Sequence, residues 1–529
     1  MMDELKDLSI RAVKGLMSRR DFMGRASALG VSAGMAGTLL SSAVHAAGAQ
    51  KGGMLKAGLQ GGESTNSLDP ATWASSVPSV YGFCWGETLV GISPEGEVNG
   101  RLAESFEASA DAKTWRFKMR KGVEFHNGKT VTAEDALATM QRHSGEDTKS
   151  GALGIMRGIE SMSVDGDTLV LDLKTPNADL PYLMSDYHLV IQPNGGMDDP
   201  TAGIGTGAYT VEINEPGVRH SGKKFANYWD DERGHADEVE IIVINDSTAR
   251  TAALQGGQVD MINRVEPKIV DLVKRVPGVT IRNVSGRGHY VMIMHCDTGP
   301  FDNNDLRLAL KYSVDRQEMV DKILRGYGSI GNDMPVNSAY PLFDETIPQR
   351  EFDLDKAAFH YKKSGHDGSP IVLRTSDGAF PGAVDAAALL QQTTKKAGIP
   401  LEVKREPNDG YWSEVWNKQP FCCSYWGGRP VQDQMYSVAY LSTADWNDTR
   451  FNNSRFDELL LAARGELDLA KRKSMYSEMG YLVRDEGGLI CPMYNDFISA
   501  TGPRVGGWID DPNYDLSNGL GLVRSWVIS

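Results

Sequence analysis

Short strand-like and helical segments alternate along the chain and are separated by glycine-rich turns. In residues 115–120, Trp115, Phe117 and Met119 alternate with basic side chains, which predicts a strand with one buried and one exposed face. Residues 169–173 alternate in the same way after an Asp-Gly-Asp turn, and residues 54–60 and 239–245 are further strand-like runs. The pattern therefore predicts strands distributed over the whole chain.

Helical segments stand between these strands. Thr132 to Asp135 has the form of a capping box, with Asp where Glu is preferred, and Asp246-Ser247 caps a helix that ends at Gly256-Gly257. Residues 371–375, 384–397 and 401–404 follow each other as strand, helix and strand, which predicts parallel pairing. Further helices are predicted at 306–313, 316–324, 456–467 and 470–483. A mixed α/β chain of 529 residues is too long for one core, so we expect at least two lobes.

The N-terminal region has the features of an export signal. Ser18-Arg19-Arg20-Asp21-Phe22 fits the twin-arginine motif, residues 26–40 are small and apolar, and Val44-His45-Ala46 supplies a cleavage site. We expect residues 1–46 to be a twin-arginine signal peptide, cleaved after Ala46 to give a periplasmic protein. The alternatives are an N-terminal membrane anchor or a chance arginine pair before a helix. No Cys follows the apolar tract, which argues against a lipid anchor.

The net charge and the hydropathy of the chain exclude some classes of binding partner. The chain has 55 Lys and Arg against 70 Asp and Glu, and without residues 1–46 its net charge is −17. Such a surface repels nucleic acid and anionic lipid headgroups. No later stretch is apolar for long enough to span a bilayer, so we expect no membrane insertion after cleavage and a monomer that diffuses freely.

The five cysteines are too few for a disulfide scaffold. Two interpretations remain open: Cys296 pairs with Cys422 or Cys423, or the thiols are free and buried.

The residues give no sign of catalysis. The chain after residue 46 has no Gly-x-Ser-x-Gly elbow, no phosphate-binding Gly-x-x-x-x-Gly-Lys loop and no His-Glu-x-x-His pair. The ten His residues lack the spacing of zinc ligands, and the adjacent Cys422 and Cys423 would face opposite sides of a strand. We predict no catalytic residues, no metal site and no cofactor, and therefore a protein that is not an enzyme.

Several segments, in one order along the chain, resemble a known family. They are Leu68-Asp69-Pro70, the run from Trp115 to Gly128, Gly205-Thr206-Gly207-Ala208-Tyr209, Phe301 to Arg307, and Arg455-Phe456-Asp457-Glu458-Leu459-Leu460. Together they resemble the family 5 extracellular solute-binding proteins, which include the dipeptide, oligopeptide and nickel binders of ABC importers.

The resemblance implies a periplasmic binding protein fold of two α/β lobes, joined by two crossover strands, with an extra subdomain inserted in lobe one. By analogy, lobe one comprises residues 47–79, 206–285 and 496–529, the inserted subdomain 80–205, and lobe two 286–495. It also implies a function: capture of a peptide-like or carboxylate-bearing solute between the lobes and delivery to an inner-membrane ABC permease. A ligand held between two lobes favours the closed state by its differential affinity for it.

One departure from the family pattern bears on the ligand. Where peptide-binding relatives resemble Trp-Gly-Ala-Asp-Tyr, with the Asp pairing the peptide amino terminus, this chain has Trp426-Gly427-Gly428-Arg429. Because a guanidinium prefers a planar anion, we predict that Arg429 binds a ligand carboxylate. The alternative is that Arg429 pairs internally, for example with Asp433, and only shapes the loop.

Aromatic side chains suited to a small-ligand cleft surround this segment. We predict Trp426 and Tyr425 as ligand-binding residues, with Gly428 allowing close backbone approach, and Trp412 and Trp73 as weaker candidates. Ordinary core packing is the alternative for each of these aromatics.

The sequence leaves two other functions open. Some relatives bind nickel or a metal chelate, although the scattered His residues argue against this function here. An exported cofactor enzyme is suggested only by the twin-arginine route.

Overall fold

The computed structural model describes residues 49–466 and 468–528, so the expected signal peptide at 1–46 lies outside the described residues. The described strands, in chain order, are β1 (Met54–Leu59), β2 (Val90–Ile92), β3 (Val98–Gly100), β4 (Ala103–Ala108), β5 (Thr114–Met119), β6 (Ile159–Asp165), β7 (Thr168–Leu173), β8 (Tyr209–Glu215), β9 (Arg219–Lys224), β10 (Glu238–Val243), β11 (Met261–Ile262), β12 (Thr280–Val284), β13 (His289–Met294), β14 (Gly328–Ile330), β15 (Ile371–Thr375), β16 (Leu401–Arg405), β17 (Phe421–Trp426), β18 (Leu489–Asn495), β19 (Phe497–Thr501), β20 (Val505–Gly506) and β21 (Trp526–Val527).

Helices of two turns or more pack around these strands. They are α1 (Ser76–Trp85), α2 (Ala133–Ser144), α3 (Ser247–Gln255), α4 (Asn304–Tyr312), α5 (Leu354–Ser364), α6 (Ala383–Lys396), α7 (Gln432–Ala439), α8 (Ser454–Gly465) and α9 (Leu469–Glu486). Single helical turns occur at Leu153–Met156, Leu180–Leu183, Val270–Val273, Arg316–Met319 and Gly521–Arg524.

A seven-stranded sheet organises lobe one, in the order β12-β19-β11-β1-β10-β9-β8. The first strand, β1, pairs in parallel with both β10 and β11. Helix α3 connects β10 to β11. Its N-cap residue is Asp246, whose side chain accepts a hydrogen bond from Ala249 N. The predicted cap and the strand–helix–strand order are thus confirmed in this lobe.

Lobe two is built on a six-stranded sheet, in the order β14-β18-β13-β17-β15-β16. Strands β15 and β16 pair in parallel across α6, as the spacing of apolar residues predicted. Strand β17 lies beside β13 and ends at Trp426, which places the Gly427-Gly428-Arg429 segment at the edge where the lobes meet.

A four-stranded antiparallel sheet, β4-β5-β7-β6, forms a third unit. In β5, Trp115, Phe117 and Met119 are buried as the alternation predicted. Helix α2 opens with a full capping box, in which Asp135 replaces the usual Glu and both hydrogen bonds with Thr132 are made. The apolar core of this unit is continuous with that of lobe two, while two separate core clusters lie in the described part of lobe one.

The chain crosses between the two large sheets twice, at residues 285–288 and at Asp496. Asp496 accepts hydrogen bonds from Ser285 Oγ at 2.7 Å and from Asn283 Nδ2 at 2.9 Å, which ties one crossing to the other. Two lobes joined by two short crossings form the α/β fold that the sequence predicted.

Two local expectations need adjustment. The helix expected at 316–324 is one α-turn followed by a π-turn, and it is terminated by Arg325 in a left-handed conformation. All five cysteines are free thiols, so the Cys296 disulfide considered above is not formed.

Candidate functional site

Arg429 is buried where lobe one, lobe two and the third unit, which contains the β4-β5-β7-β6 sheet and is called the inserted unit below, meet. Its residue exposure is 6%, and its Nη1 donates a 2.8 Å hydrogen bond to Gly428 O. Nε and Nη2 are buried, and neither makes a hydrogen bond with any of the residues that the structure describes. A buried guanidinium with unused donors is costly unless an anion completes it.

A carboxylate near Arg429, that of Asp186, is shared with a histidine. Asp186 Oδ2 lies 3.8 Å from Arg429 Nε, while Asp186 Oδ1 lies 2.5 Å from His188 Nδ1. The other ring nitrogen of His188 lies 3.1 Å from Trp73 O. Both of these groups are acceptors, so His188 donates to one of them from a ring nitrogen that carries a proton.

Asp186 stays ionised beside Arg429. Burial alone would raise the pKa of Asp186, but His188 and Arg429 outweigh it and hold that pKa at about 2. At 3.8 Å from Nε, the Asp186 carboxylate leaves the Arg429 donors Nε and Nη2 without a hydrogen bond, and a ligand carboxylate could accept from them.

Tryptophans form a wall beside Arg429. Trp416 and Trp426 both donate their indole N–H to Asp448 Oδ2, at 2.9 Å and 3.1 Å, and Trp446 packs edge-on against both rings. Asp448 is fully buried, and burial raises its pKa to about 7 although both indoles counteract the shift. Asp448 therefore fixes two aromatic faces of the site without lining the cavity.

Contacts across the cleft hold the lobes together. Trp412 N donates to Glu63 Oε1 at 2.9 Å, and the Arg264 guanidinium stacks 4.0 Å from the centre of the Tyr425 ring. Arg264 is a non-glycine residue in a left-handed conformation, with φ 48°. Each contact joins lobe one to lobe two, so the structure is in a closed arrangement.

Two cavities meet at Arg429. The small chamber, about 30 Å³, is lined by aromatic residues together with Ser75, Gly427 and Arg429. The large chamber, about 640 Å³, extends between the inserted unit and lobe one. Tyr187, Arg429 and Tyr514 line both chambers, so we call these three residues the neck.

Most of the residues predicted from the sequence lie at this site. Arg429, Trp426, Tyr425 and Trp412 line the small chamber, and Gly428 lines the large one. Trp73 lies apart from them: it is 1% exposed in the core of lobe one, and its indole donates to Ser67 O.

The structure differs from the sequence-based expectations for the partner of Arg429 and for the neighbour of Gly428. Asp433 is not the partner of Arg429, because Asp433 Oδ1 accepts from Arg464 Nε at 2.7 Å and Asp186 is the acid near Arg429. Gly428 was expected to allow close approach of a ligand, but the group that approaches it closely is Arg287. A Cβ at position 428 would lie 2.4 Å from Arg287 Cβ.

Sequence reasoning missed several residues of the site, among them Ser75, Tyr187, Asp448 and Tyr514. They come from different elements far apart in the chain, and none belongs to a recognisable motif. The Asp-Tyr-His run at 186–188 and the Asp-Pro-Asn-Tyr-Asp run at 511–515 were the available signals, since aromatic residues between acids in loops often serve binding.

Among the described residues, no three His, Cys, Asp or Glu side chains gather as a metal site would require. In the same part of the chain, no helix combines the length and the apolar character that crossing a membrane needs.

Known proteins with similar sequences and folds agree with this architecture. Heme-binding protein A of Haemophilus influenzae is 25% identical over 474 residues, covering 80% of this chain and 84% of that protein. The binding protein AgaA of A. tumefaciens R10, solved with agropinic acid, superposes with a TM-score of 0.81 at 23% identity, covering 90% of this chain and 99% of AgaA. DppA of Helicobacter pylori, an ABC transporter-associated periplasmic binding protein solved with the peptide STSA, gives 0.82 at 19% identity, covering 91% and 99%.

The family described as bacterial extracellular solute-binding proteins, family 5 Middle, matches residues 97–448, well over half of the chain. The superposed proteins share the two-lobe fold described above. The chain therefore belongs to family 5 of the bacterial extracellular solute-binding proteins.

Proposed function

We propose that this chain is the periplasmic binding component of an ABC-type importer and that its ligand is a carboxylate-bearing or peptide-like solute. The observation that carries the proposal is the buried Arg429 guanidinium: its Nε and Nη2 make no hydrogen bond within the described part of the chain, and its nearest acid is shared with His188. A ligand carboxylate in the neck would accept two hydrogen bonds in the planar geometry that a guanidinium offers.

Closure of the lobes would report the bound ligand to the permease. Lobe one would comprise residues 47–79, 206–285 and 496–529, with 80–205 as its inserted subdomain and 286–495 as lobe two. A ligand that touches Arg429 on lobe two and Tyr514 on lobe one stabilises the closed state by its differential affinity. Residues 1–46 would direct export by the twin-arginine route, and the mature protein would act as a soluble monomer.

Thermal unfolding tests the role of Arg429. The probes are the low-molecular-weight extract of the host and simple carboxylates such as acetate and succinate. We expect a rise of Tm with wild-type protein that is lost in Arg429→Met and kept in Arg455→Ala, whose side chain pairs with Glu478 on the surface. An equal rise of Tm in Arg429→Met would overturn the proposal.

Metal analysis of the purified protein tests the alternative of a nickel or metal-chelate binder. Stoichiometric nickel that survives gel filtration would favour that function over the one proposed here.

A further inference from the structure

Hydrogen-bond acceptors lie beside the unused donors of Arg429. Arg429, Asp186 and Gln434 all line the large chamber, and all three are buried. Asp186 Oδ2 lies 3.8 Å from Arg429 Nε. This part of the chamber wall therefore presents donors and acceptors next to each other.

Asp186 is ionised, and one of its two oxygens is poorly satisfied. Its pKa is about 2, because burial, which would raise it, is outweighed by His188 and Arg429. Oδ1 accepts from the backbone N of His188 at 3.1 Å and lies 2.5 Å from His188 Nδ1. Among the described residues, the hydrogen bond to Oδ2 is a long one, 3.4 Å from Gln434 Nε2. A buried carboxylate oxygen in this state gains from a further donor, and most from a charged one.

Gln434 adds a second acceptor. Its Nε2 faces Asp186 Oδ2, so the acceptor Oε1 is the other end of the amide. Oε1 is buried and makes no hydrogen bond with a described residue. A buried amide oxygen without a donor is unfavourable, and a donor group on a ligand would remove that cost.

A carboxylate bound at Arg429 would meet the charge of Asp186. Because Nε and Oδ2 are 3.8 Å apart, a ligand oxygen that accepts from Nε lies close to Asp186 Oδ2. Two ionised carboxylates repel each other strongly in a buried site unless a cation stands between them. An ammonium group on the ligand supplies that cation and donates to Asp186 Oδ2 and Gln434 Oε1.

We propose that the ligand binds beside the neck through an end that carries a carboxylate and an ammonium group on one carbon, with the carboxylate on Arg429 and the ammonium on Asp186 and Gln434. The inference rests on the proposed function, because it keeps the carboxylate at Arg429. An amino acid, or a peptide joined through a side chain, has such an end, whereas an ordinary peptide carries the two groups at opposite ends. The chamber of about 640 Å³ leaves room for the rest of the molecule.

Calorimetric titration with three probes tests this assignment. Racemic 2-aminooctanoate has both groups, octanoate lacks the ammonium group, and N-acetyl-2-aminooctanoate keeps an N–H donor without the positive charge. We expect wild-type protein to bind 2-aminooctanoate at least tenfold more tightly than either other probe. Octanoate or the acetylated probe binding as tightly as 2-aminooctanoate would overturn the inference, as would no detectable binding of 2-aminooctanoate.

A pair of variants on α7 tests the role of Gln434. Gln434→Met removes Oε1 and keeps the length of the side chain, so it should weaken 2-aminooctanoate at least fivefold and octanoate less than twofold. Gln432, two residues earlier, is also buried but lines a separate small cavity beside Tyr436, so Gln432→Met is the matched control. An affinity of Gln434→Met for 2-aminooctanoate equal to that of wild type would overturn the assignment of the ammonium group.

Asp186→Asn keeps the shape of the side chain and removes its charge. If circular dichroism shows that this variant is folded, its preference for 2-aminooctanoate over octanoate should fall below twofold, and a preference like that of wild type would overturn the inference. If it does not fold, the probes on wild type and on Gln434→Met decide the matter.

The outcomes separate this inference from the proposed function. If octanoate and 2-aminooctanoate bind equally well to wild type and neither binds to Arg429→Met, the inference fails and the proposed function stands. If both probes bind to Arg429→Met as they do to wild type, the proposed role of Arg429 fails instead.

Discussion

The Tyr514 ring lies against Gly427 so closely that a Cβ on Gly427 would be 2.2 Å from Tyr514 Cε2. Tyr514 belongs to the C-terminal segment of lobe one, and Gly427 follows β17 of lobe two. The contact joins lobe one to lobe two, and it requires a residue without a side chain at position 427. Gly427 is therefore a structural requirement of closure.

Gly427→Ala should favour the open state. The added methyl group clashes with the Tyr514 ring in the closed form and meets no such obstacle once the lobes separate. We expect a larger radius of gyration by X-ray scattering and at least tenfold weaker ligand binding than in wild type. Gly145→Ala is the control, because a Cβ at Gly145 has nothing within 4 Å. A closed scattering profile for Gly427→Ala would contradict this role.

Asp448→Asn should flatten the dependence of stability on pH. The pKa of Asp448 is raised to about 7 by burial, so its favourable contribution is complete below about pH 4 and is lost as pH rises towards 7. Asn still accepts from both indoles and carries no charge. Urea unfolding at pH 5 and pH 8 should show wild type losing a few kcal/mol between them and Asp448→Asn losing much less.

The exposed Asp271 provides the control for Asp448, since its side chain is 86% exposed. Asp271→Asn should keep the pH dependence of wild type. If Asp448→Asn keeps it too, Asp448 does not titrate in this range.

Asp186→Asn should destabilise the protein near neutral pH. Asp186 has a lowered pKa of about 2, so its contribution is complete above its ordinary value near 4 and is lost as pH falls towards 2. Removing the charge leaves Arg429 buried without an acid, which costs roughly 3–5 kcal/mol. The free energy of unfolding at pH 7 measures the loss, and the gap between variant and wild type should narrow at pH 3. A neutral effect at pH 7 would show that the Arg429 guanidinium does not depend on this carboxylate.

The thiols should be unreactive until the protein unfolds. Cys84, Cys422, Cys423 and Cys491 are buried, and burial raises the pKa of each, to about 12 for Cys84 and Cys423. A disulfide-exchange reagent should label at most Cys296 in the native protein and all five cysteines in denaturant without reductant. Fewer than five reactive thiols after unfolding would indicate a disulfide.

The sequence predicted the local elements well, for physical reasons. Alternation in β5, the capping box at Thr132 and the β15–α6–β16 unit each depend on residues within one short segment. Arg429 could be selected because it departs from a family pattern.

The partners of Arg429 could not be found in that way. Asp186 is 243 positions away in sequence, and only the packing of the inserted unit against lobe two brings it near. Trp73 was selected because aromatic residues suit a ligand cleft, but its ring packs edge-on against Trp85 in the core of lobe one. The sequence alone does not distinguish a core position from a cleft position for such a side chain.

Native mass spectrometry of protein purified from its own host tests the central claim most directly, with wild type and Arg429→Met compared side by side. The account predicts that wild type carries one small molecule, identified by fragmentation as a carboxylic acid, and that Arg429→Met carries none. A cationic ligand, a metal complex, or the same acid retained by Arg429→Met would contradict it.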